Sequence, residues 1–234
     1  MKSKKIMNPQ AEKTINYKFK NKNLLSQAFT HSSYAYENNL STLKNNERLE
    51  FLGDAILQIV MSEYLYHKFP KMSEGELTRL RASVVCEPTL AMASRDIGLG
   101  KYLIIGRGEE RMCGRERDSI LGDVFEAIVA SIYLDGGIEP AKVFILNALA
   151  SYAENLSLHL ATQDYKTRLQ ELIQKDSQSP LKYITVDEQG PDHEKVFTVQ
   201  LKHKNRILGE GIGKSKKDAE QQAAKIAIQK LSLG

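Results

Sequence analysis

Hydrophobic positions as far as residue 155 recur at helical spacing, so this part of the chain is predicted to be almost entirely helical. Glycine, proline and polar residues separate the helical segments at residues 69–71, 98–100, 106–108 and 135–137. No stretch here shows the alternation typical of a strand with one buried face. The predicted helices are Leu24–Phe29, Leu49–Phe69, Leu77–Val85, Thr89–Asp96, Ile120–Tyr133 and Ala141–Tyr152.

Beyond residue 157 the pattern changes to that of a short α-β-β-β-α unit. An amphipathic helix is predicted over Asp164–Lys175, with Leu169 and Leu172 on its apolar side. An Ala-rich helix over Ser215–Leu231 closes the chain, with Leu231 facing inward. Between them lie three predicted strands: Leu181–Glu188, Lys195–His203 and Arg206–Gly211.

The chain is therefore expected to have two domains of different fold class. Residues 1–156 are predicted to form an all-α domain and residues 164–234 a smaller α+β domain. Residues 157–163 are the predicted linker.

Three carboxylates interrupt the otherwise apolar start of the second predicted helix, in the segment Asn46–Ala55. Glu47, Glu50 and Asp54 are spaced i, i+3 and i+7, which places them within a sector of about 60° on one helix face. Acids gathered at the rim of a core repel one another and lose solvation unless a cation compensates them. The pattern indicates a metal site, and oxygen ligands suit a hard cation such as Mg²⁺.

A second helix supplies further acids on one face. Asp123 and Glu126 are spaced i and i+3, after a predicted N-cap at Asp118-Ser119. Small residues such as Gly53 and Ala127 allow two helices to approach closely. Four carboxylates from the two helices are therefore expected to converge on one or two cations.

Two other interpretations of these acids remain open from spacing alone. They could lie on ordinary solvated helix faces, or they could belong to a carboxylate-bridged di-iron bundle. The di-iron site needs Glu-x-x-His pairs, and neither acidic helix has a histidine in that position. Mg²⁺ beside a phosphodiester would support hydrolysis, because the metal acidifies a bound water and neutralises charge on the phosphate.

Several residues near these helices carry less specific signals. Phe51 falls in the acidic sector and either packs inside its own domain or inserts into a partner chain. Glu74 either opens a helix or joins the acidic site. The segment Thr30–Ser33 is expected to cap a helix or to form hydrogen bonds in the core rather than to supply a nucleophile. The arginines of the loop 107–117 either contact RNA or are solvated.

Composition sets only broad limits on function. The 234 residues are 41% hydrophobic and 26% charged, with a net charge of +4. Residues 164–234 hold 13 Lys and Arg against 10 Asp and Glu, so any RNA binding must come from local patches. Cys86 and Cys113 lack the spacing of a zinc site or a disulfide framework. No apolar run has transmembrane length and no signal core is seen, so a cytoplasmic protein without membrane partners is expected.

The start of the last helix is a candidate phosphate-binding site. Lys214, Lys216 and Lys217 surround a helix N-terminus, where free N–H groups already favour anions, and Ser215 is the expected cap. Polar side chains from the first helix of this domain and from the loop 190–194 can reach 2′-hydroxyls in the minor groove of A-form RNA. These further candidates are Thr167, Gln170, Glu171 and His193.

The segment Asn46–Ala55 resembles the signature motif of bacterial ribonuclease III. The segments Thr30–Tyr34, Gly106–Glu110 and Asp118–Ala127 resemble that family as well. Gly209–Glu220 is similar to its double-stranded-RNA-binding domain. The resemblance covers nearly the whole chain in the family's domain order.

This resemblance implies a homodimeric endonuclease that cuts both strands of duplex RNA. It implies Mg²⁺ as the cofactor, with Mn²⁺ able to substitute, and no other small-molecule cofactor. The expected products carry 5′-phosphates, 3′-hydroxyls and two-nucleotide 3′ overhangs, and the expected substrates are ribosomal RNA precursors and other structured transcripts.

The resemblance also implies roles for individual residues. Asp54 and Glu126 match the catalytic pair, and Glu50 and Asp123 join them as metal ligands. Phe51 matches an aromatic residue that fills a pocket of the other subunit. Glu47 and Glu74 match acids that line the cleft and help to position RNA.

Cys113 departs from the family pattern, since a glycine or another small residue is expected at that place in the loop.

Two rival functions are a double-stranded-RNA binder that does not cut and a metal-dependent enzyme acting on small phosphates. The complete set of four acids argues against a pure binder, because acids facing RNA oppose binding. The C-terminal unit argues against a small substrate.

Overall fold

The computed structural model describes residues 9–163, 165–174, 179–191, 195–204 and 206–231. The chain divides into two compact units, and the division falls between Ser157 and Leu158. Within the described ranges, no helix is long and apolar enough to cross a membrane.

The first unit is built from helices around one apolar core. Its helices are α1 (Pro9–Ile15), α2 (Lys22–Ala28), α3 (Ser32–Glu37), α4 (Glu47–Lys68), α5 (Glu74–Val84), α6 (Glu87–Ile97), α7 (Arg107–Arg111), α8 (Asp118–Gly136) and α9 (Ile138–Gln163). The first unit has no named strand among its described residues, and the predicted all-α class is confirmed.

Helix α8 lies at the centre of this unit, packed against both α4 and α6. Its buried residues occupy nearly every position from Ile120 to Ile132, because neighbouring helices cover it on several sides. Helix α4 buries one stripe, including Leu49, Leu57 and Met61. The close packing of α4 on α8 determines where the acidic side chains meet.

Residues 157–163, the predicted linker, are helical and form the end of α9. Ser157 is buried, and its hydroxyl donates to the Glu154 carbonyl oxygen at 2.7 Å. The hydrophobic pattern weakens after residue 155, but the backbone continues as a helix, since nothing in this stretch is a proline or a glycine.

The second unit has the predicted α-β-β-β-α order, and its fold class is confirmed. Helix α10 (Tyr165–Gln174) precedes β1 (Lys182–Gln189), β2 (Val196–His203) and β3 (Arg206–Gly213), and α11 (Lys216–Leu231) follows. The strands form an antiparallel sheet in the order β1-β2-β3. The core between sheet and helices consists of Leu169, Leu201, Ala223, Ala224 and Ala227.

Helix α11 approaches β3 so closely that both surfaces must be small. A Cβ on Gly209 would lie 2.3 Å from the Ala223 carbonyl oxygen, and one on Gly211 would lie 2.2 Å from the Ala223 nitrogen. Two predicted core residues are instead largely exposed: Leu172 by 41% and Leu231 by 48%. They lie on the flank and at the end of their helices, where the three-stranded sheet does not cover them.

Candidate active site

The acidic residues of α4 lie along the edge of its buried stripe. Glu50 is half-buried, while Glu47 and Asp54 are exposed. The Gln58 amide donates to Asp54 Oδ1 at 3.2 Å. Leu49 and Leu57 belong to the buried stripe, and the three carboxylates share the sector that borders it.

Helix α8 contributes its two acids from a more enclosed position. Asp123 and Glu126 are half-buried, and the residues between and beside them, Val124, Phe125 and Ala127, are fully buried. A carboxylate placed next to such a core is partly desolvated. Desolvation favours its protonated form.

Gly53 brings the two acidic helices together. A Cβ at this position would lie only 1.9 Å from the Glu126 carbonyl oxygen and 2.5 Å from the Glu126 carbonyl carbon. A glycine is thus required for α4 to reach the backbone that carries Glu126. The small residue that the sequence suggested as an aid to close packing lies directly at the site.

Electrostatic coupling shows that the acids of both helices form one cluster. Burial, followed by the charges of Asp54, Glu50 and Asp123, raises the pKa of Glu126 to about 8. Burial, followed by the charges of Glu50, Glu87 and Glu47, raises the pKa of Asp123 to about 7. Burial and the charge of Glu47 raise the pKa of Glu50.

Glu87 is a further acid near the cluster, and the sequence analysis did not identify it. It is the first residue of α6, and its Cγ lies 3.6 Å from the position that a Cβ on Gly122 of α8 would occupy. Its only signal in the sequence is an acid two residues before the predicted helix Thr89–Asp96. That signal is common, because acids are favoured in the first helical turn.

Glu74 begins α5, and its carboxylate accepts a hydrogen bond from the Thr78 hydroxyl at 3.0 Å. It is not among the charges that raise the pKa of Asp123 or Glu126. The structure thus does not group Glu74 with the four carboxylates, and its role in the cleft stays a prediction.

The donor chemistry of the cluster fits a hard divalent cation. All four candidate ligands are carboxylates, and two of them have a pKa near or above neutrality, which a bound cation would lower. As the side chains stand, no three Asp, Glu, His or Cys residues in the described ranges are grouped closely enough to hold a metal ion. Binding would therefore require these carboxylates to rotate toward one another.

Phe51 of α4 is 82% exposed. It does not pack inside its own unit, which removes one of the two interpretations of this residue. An exposed phenylalanine beside the acidic cluster is available to a partner.

The loop before α8 differs from expectation in two details. Helix α8 begins at Asp118, with Arg117 at the N-cap, and Asp118 pairs with Arg95 instead of capping the helix. The predicted cap at Asp118-Ser119 is thus wrong. Cys113 has a φ of 56°, the left-handed region that favours glycine, which explains why a small residue is expected there.

The segment Thr30–Ser33 caps a helix, as expected. His31 is the N-cap of α3, and its Nδ1 accepts from the Ser33 N–H at 3.3 Å. No nucleophilic role is needed to explain these residues.

In the second unit, the predicted phosphate-binding residues surround the start of α11. Ser215 Oγ accepts from the Asp218 N–H at 3.1 Å, which confirms the predicted cap. Lys214, Lys216 and Lys217 are exposed around it. Lys216 Nζ lies 3.9 Å from Glu188 Oε2 and 5.6 Å from the centre of the Phe197 ring. These two contacts partly fix the position of the Lys216 side chain.

The remaining RNA-contact candidates are only partly described. Gln170 is exposed on α10. The side chains of Thr167 and Glu171, and all of His193, lie outside the described residues, and their roles stay predictions.

A helical unit with a carboxylate cluster, followed by an α-β-β-β-α unit with lysines at a helix start, is the architecture of a nuclease with an appended RNA-binding domain. Residues 21–152 match the Ribonuclease-III-like family, and residues 165–231 match the double-stranded RNA binding motif. The chain belongs to the ribonuclease III family.

Individual relatives agree with this assignment over most of the chain. Ribonuclease 3 of Desulforamulus reducens is 52% identical over 217 residues, which are 93% of this chain and 88% of that protein. Ribonuclease 3 of Listeria monocytogenes is 43% identical over 222 residues, 95% of this chain and 96% of that protein. The nuclease domain of Campylobacter jejuni ribonuclease III matches with a TM-score of 0.57 and 43% identity, and the match covers 61% of this chain and 96% of that chain.

Proposed function

We propose that this protein is a Mg²⁺-dependent endoribonuclease that hydrolyses both strands of double-stranded RNA. The observation that carries the proposal is the convergence of carboxylates from α4 on the half-buried acids of α8, where burial and the α4 charges raise the pKa of Asp123 and Glu126. Such an arrangement is costly without a cation. It is joined to a unit that matches a double-stranded RNA binding motif.

The four carboxylates have distinct proposed roles. Glu50, Asp123 and Glu126 would bind the metal, together with Asp54. Asp54 and Glu126 form the proposed catalytic pair, in keeping with the effect of the Asp54 charge on the pKa of Glu126. When bound, Mg²⁺ supplies an acidified water and neutralises charge on the phosphate, and Mn²⁺ can take its place.

The first unit is proposed to cleave RNA and the second unit to bind it. Lysines at the start of α11 and the cap Ser215 would bind phosphates, and Gln170 would reach the minor groove beside them. Thr167, Glu171 and His193 are proposed to join these contacts, and Glu47 and Glu74 to line the cleft. Contacts of this type follow the shape of A-form RNA more than its sequence.

A homodimer provides the second active site that a duplex requires. One carboxylate cluster can cut one strand, whereas a two-fold dimer presents two clusters to two antiparallel strands. The exposed Phe51 is the proposed contact with the second subunit. The solved nuclease domain from Campylobacter jejuni is itself described in terms of a region involved in dimer formation.

The proposed products have 5′-phosphates, 3′-hydroxyls and two-nucleotide 3′ overhangs. The proposed substrates are ribosomal RNA precursors and other structured transcripts. The proposed place of action is the cytoplasm, where such transcripts are available.

The substitution Glu126→Gln tests the division between cutting and binding. It keeps the size of the side chain but removes the charge, so Mg²⁺-dependent cleavage should be lost while affinity for duplex RNA is retained. Cleavage is followed on gels, and affinity by fluorescence anisotropy in chelator. Glu139→Gln, an exposed change on α9, is the matched control and should retain both activities. Loss of binding together with cleavage in Glu126→Gln would argue against the assignment.

A further inference from the structure

Three consecutive backbone N–H groups at the start of α7 are bound by two side chains of α3. The Gly106 N–H donates to Ser33 Oγ at 2.9 Å, and the Arg107 N–H donates to Glu37 Oε2 at 2.8 Å. The Gly108 N–H donates to Glu37 Oε1 at 3.0 Å. Ser33 and Glu37, four residues apart on one face of α3, are named here the α3 clamp.

The backbone of Gly106 lies so close to the clamp that only a glycine fits. A Cβ on Gly106 would lie 2.6 Å from Glu37 Oε1 and 2.9 Å from the Ser33 carbonyl oxygen. The clamp therefore fixes the position of the α7 backbone and does not simply lie near it.

His31 contacts the Ser33 side chain of the α3 clamp. Its Nδ1 lies 2.8 Å from Ser33 Oγ. Because Ser33 Oγ already accepts from Gly106, its own proton is available to His31 Nδ1, which must then be unprotonated. Burial lowers the pKa of His31 and so favours this neutral ring, while the charges of Glu109 and Glu47 oppose the effect.

The clamp holds a segment that carries exposed positive charge. Arg107 and Arg111, at the two ends of α7, are exposed. The backbone hydrogen bonds from Gly108 and Arg107, and then the charges of Arg107 and Arg111, lower the pKa of Glu37, so this carboxylate is ionised beside both arginines. The segment leads into α8, which bears Asp123 and Glu126.

Not all arginines of this loop are equally available. Arg115 donates to the carbonyl oxygens of Gly100 at 3.1 Å and Leu103 at 2.7 Å, and its guanidinium also pairs with Glu110. Arg115 thus stabilises the loop from inside. Arg107 and Arg111 are the arginines that the clamp presents to solvent.

We propose that Ser33 and Glu37 are positioning residues that hold Arg107 and Arg111 against the phosphates of duplex RNA beside the acidic cluster. This inference rests on the proposed function, because it takes the bound anion to be an RNA backbone. Charge alone does not explain a carboxylate at this place, since it would repel a polyanion. The carboxylate is explained by the hydrogen bonds that it accepts from Arg107 and Gly108, which together with the Ser33 bond to Gly106 fix the arginine segment.

The substitution Glu37→Gln distinguishes position from charge, because the two predict opposite results. Removal of a negative charge alone would tighten RNA binding. Loss of the clamp should weaken it, since an amide nitrogen cannot accept a backbone N–H. We expect KM for a long RNA duplex to rise about fivefold or more and kcat to stay within about twofold. The slope of log affinity against log salt concentration should become shallower by the amount that corresponds to about one to two lost phosphate contacts.

Two further variants make this result specific. Asp135 also accepts two backbone N–H groups, from Lys20 at 2.9 Å and Asn21 at 2.7 Å, but it holds the segment before α2. Asp135→Asn should lower Tm without a change in KM or in salt slope. In an Arg107→Ala/Arg111→Ala background, Glu37→Gln should cause no further rise in KM, because the arginines that it positions are gone.

An unchanged or lower KM in Glu37→Gln would overturn the inference, as would a fall in kcat alone. If that variant does not fold, Ser33→Ala removes one acceptor and keeps both bonds to Glu37. It should raise KM by a smaller factor, and an unchanged KM would be equally contrary. Failure of the proposed function is distinguishable, since the unsubstituted protein would then leave the duplex uncut.

Discussion

The substitution Gly53→Ala tests whether the contact between α4 and α8 controls catalysis. The added Cβ would lie 1.9 Å from the Glu126 carbonyl oxygen, whereas ordinary contacts begin at 3.4 Å, so the helices would have to separate by about 1.5 Å. The obstacle is backbone, which cannot rotate away as a side chain can. Overpacking of this kind typically costs about 1–3 kcal/mol of folding stability.

The effect on catalysis should be larger than the effect on folding. A displacement of about 1 Å between catalytic groups can cost about 100-fold in rate. We therefore expect kcat for duplex cleavage to fall at least 100-fold, as measured with saturating Mg²⁺ at a temperature well below Tm. RNA affinity in chelator should change little, because the lysines that are proposed to bind phosphates lie in the other unit.

Gly75→Ala is the matched control, since the same methyl is added to a helix with nothing within 4 Å of it. It should keep full activity and raise stability by up to about 1 kcal/mol, the usual preference for Ala over Gly in a helix. Near-normal kcat and Tm in Gly53→Ala would refute the close approach of α4 to Glu126.

Three further predictions concern RNA binding, pH and assembly. Lys216→Ala/Lys217→Ala should weaken binding to every duplex sequence and lower the salt slope by about one for each lost phosphate contact, as measured by anisotropy between 50 and 200 mM salt. Because folding raises the pKa of Asp123 and Glu126 above their unfolded values, Tm of the metal-free protein should fall as pH rises from about 4 to 8, and Mg²⁺ should raise Tm most at the upper end, as measured by scanning fluorimetry. Phe51→Ala should shift the protein toward monomer in analytical ultracentrifugation, with a loss of at least about tenfold in dimer affinity if Phe51 is a central contact.

Each of these predictions has a result that contradicts it. An unchanged salt slope would show that the lysines do not contact phosphates. A Tm of the metal-free protein that rises with pH over that range would contradict the protonated state of the two α8 acids. A Phe51→Ala protein that remains fully dimeric at nanomolar concentration would remove Phe51 from the proposed interface.

The acidic cluster was predictable because its members lie at helical spacing on two strongly patterned helices. Glu50 and Asp54, like Asp123 and Glu126, share a face at any register of a regular α-helix. Glu87 was not predictable in this way. Its charge raises the pKa of Asp123 only because α6 packs on α8, and one acid at a helix start carries no periodic signal.

The fold of the second unit was predictable from alternation and turns, but its core was predicted less well. Leu172 and Leu231 have the right helical phase and are still exposed, because a three-stranded sheet covers only part of each helix. The α3 clamp was also outside the reach of sequence patterns. Ser33 and Glu37 bind backbone groups about 70 residues away, and such contacts depend on tertiary packing alone.

The most direct test of the central claim is the analysis of products from a long RNA duplex incubated with the unsubstituted protein, in Mg²⁺ and in chelator. The account predicts short duplexes with 5′-phosphates, 3′-hydroxyls and two-nucleotide 3′ overhangs in Mg²⁺ or Mn²⁺, and an intact substrate in chelator. Duplexes left whole with every divalent ion, or cleavage that persists in chelator, would contradict it.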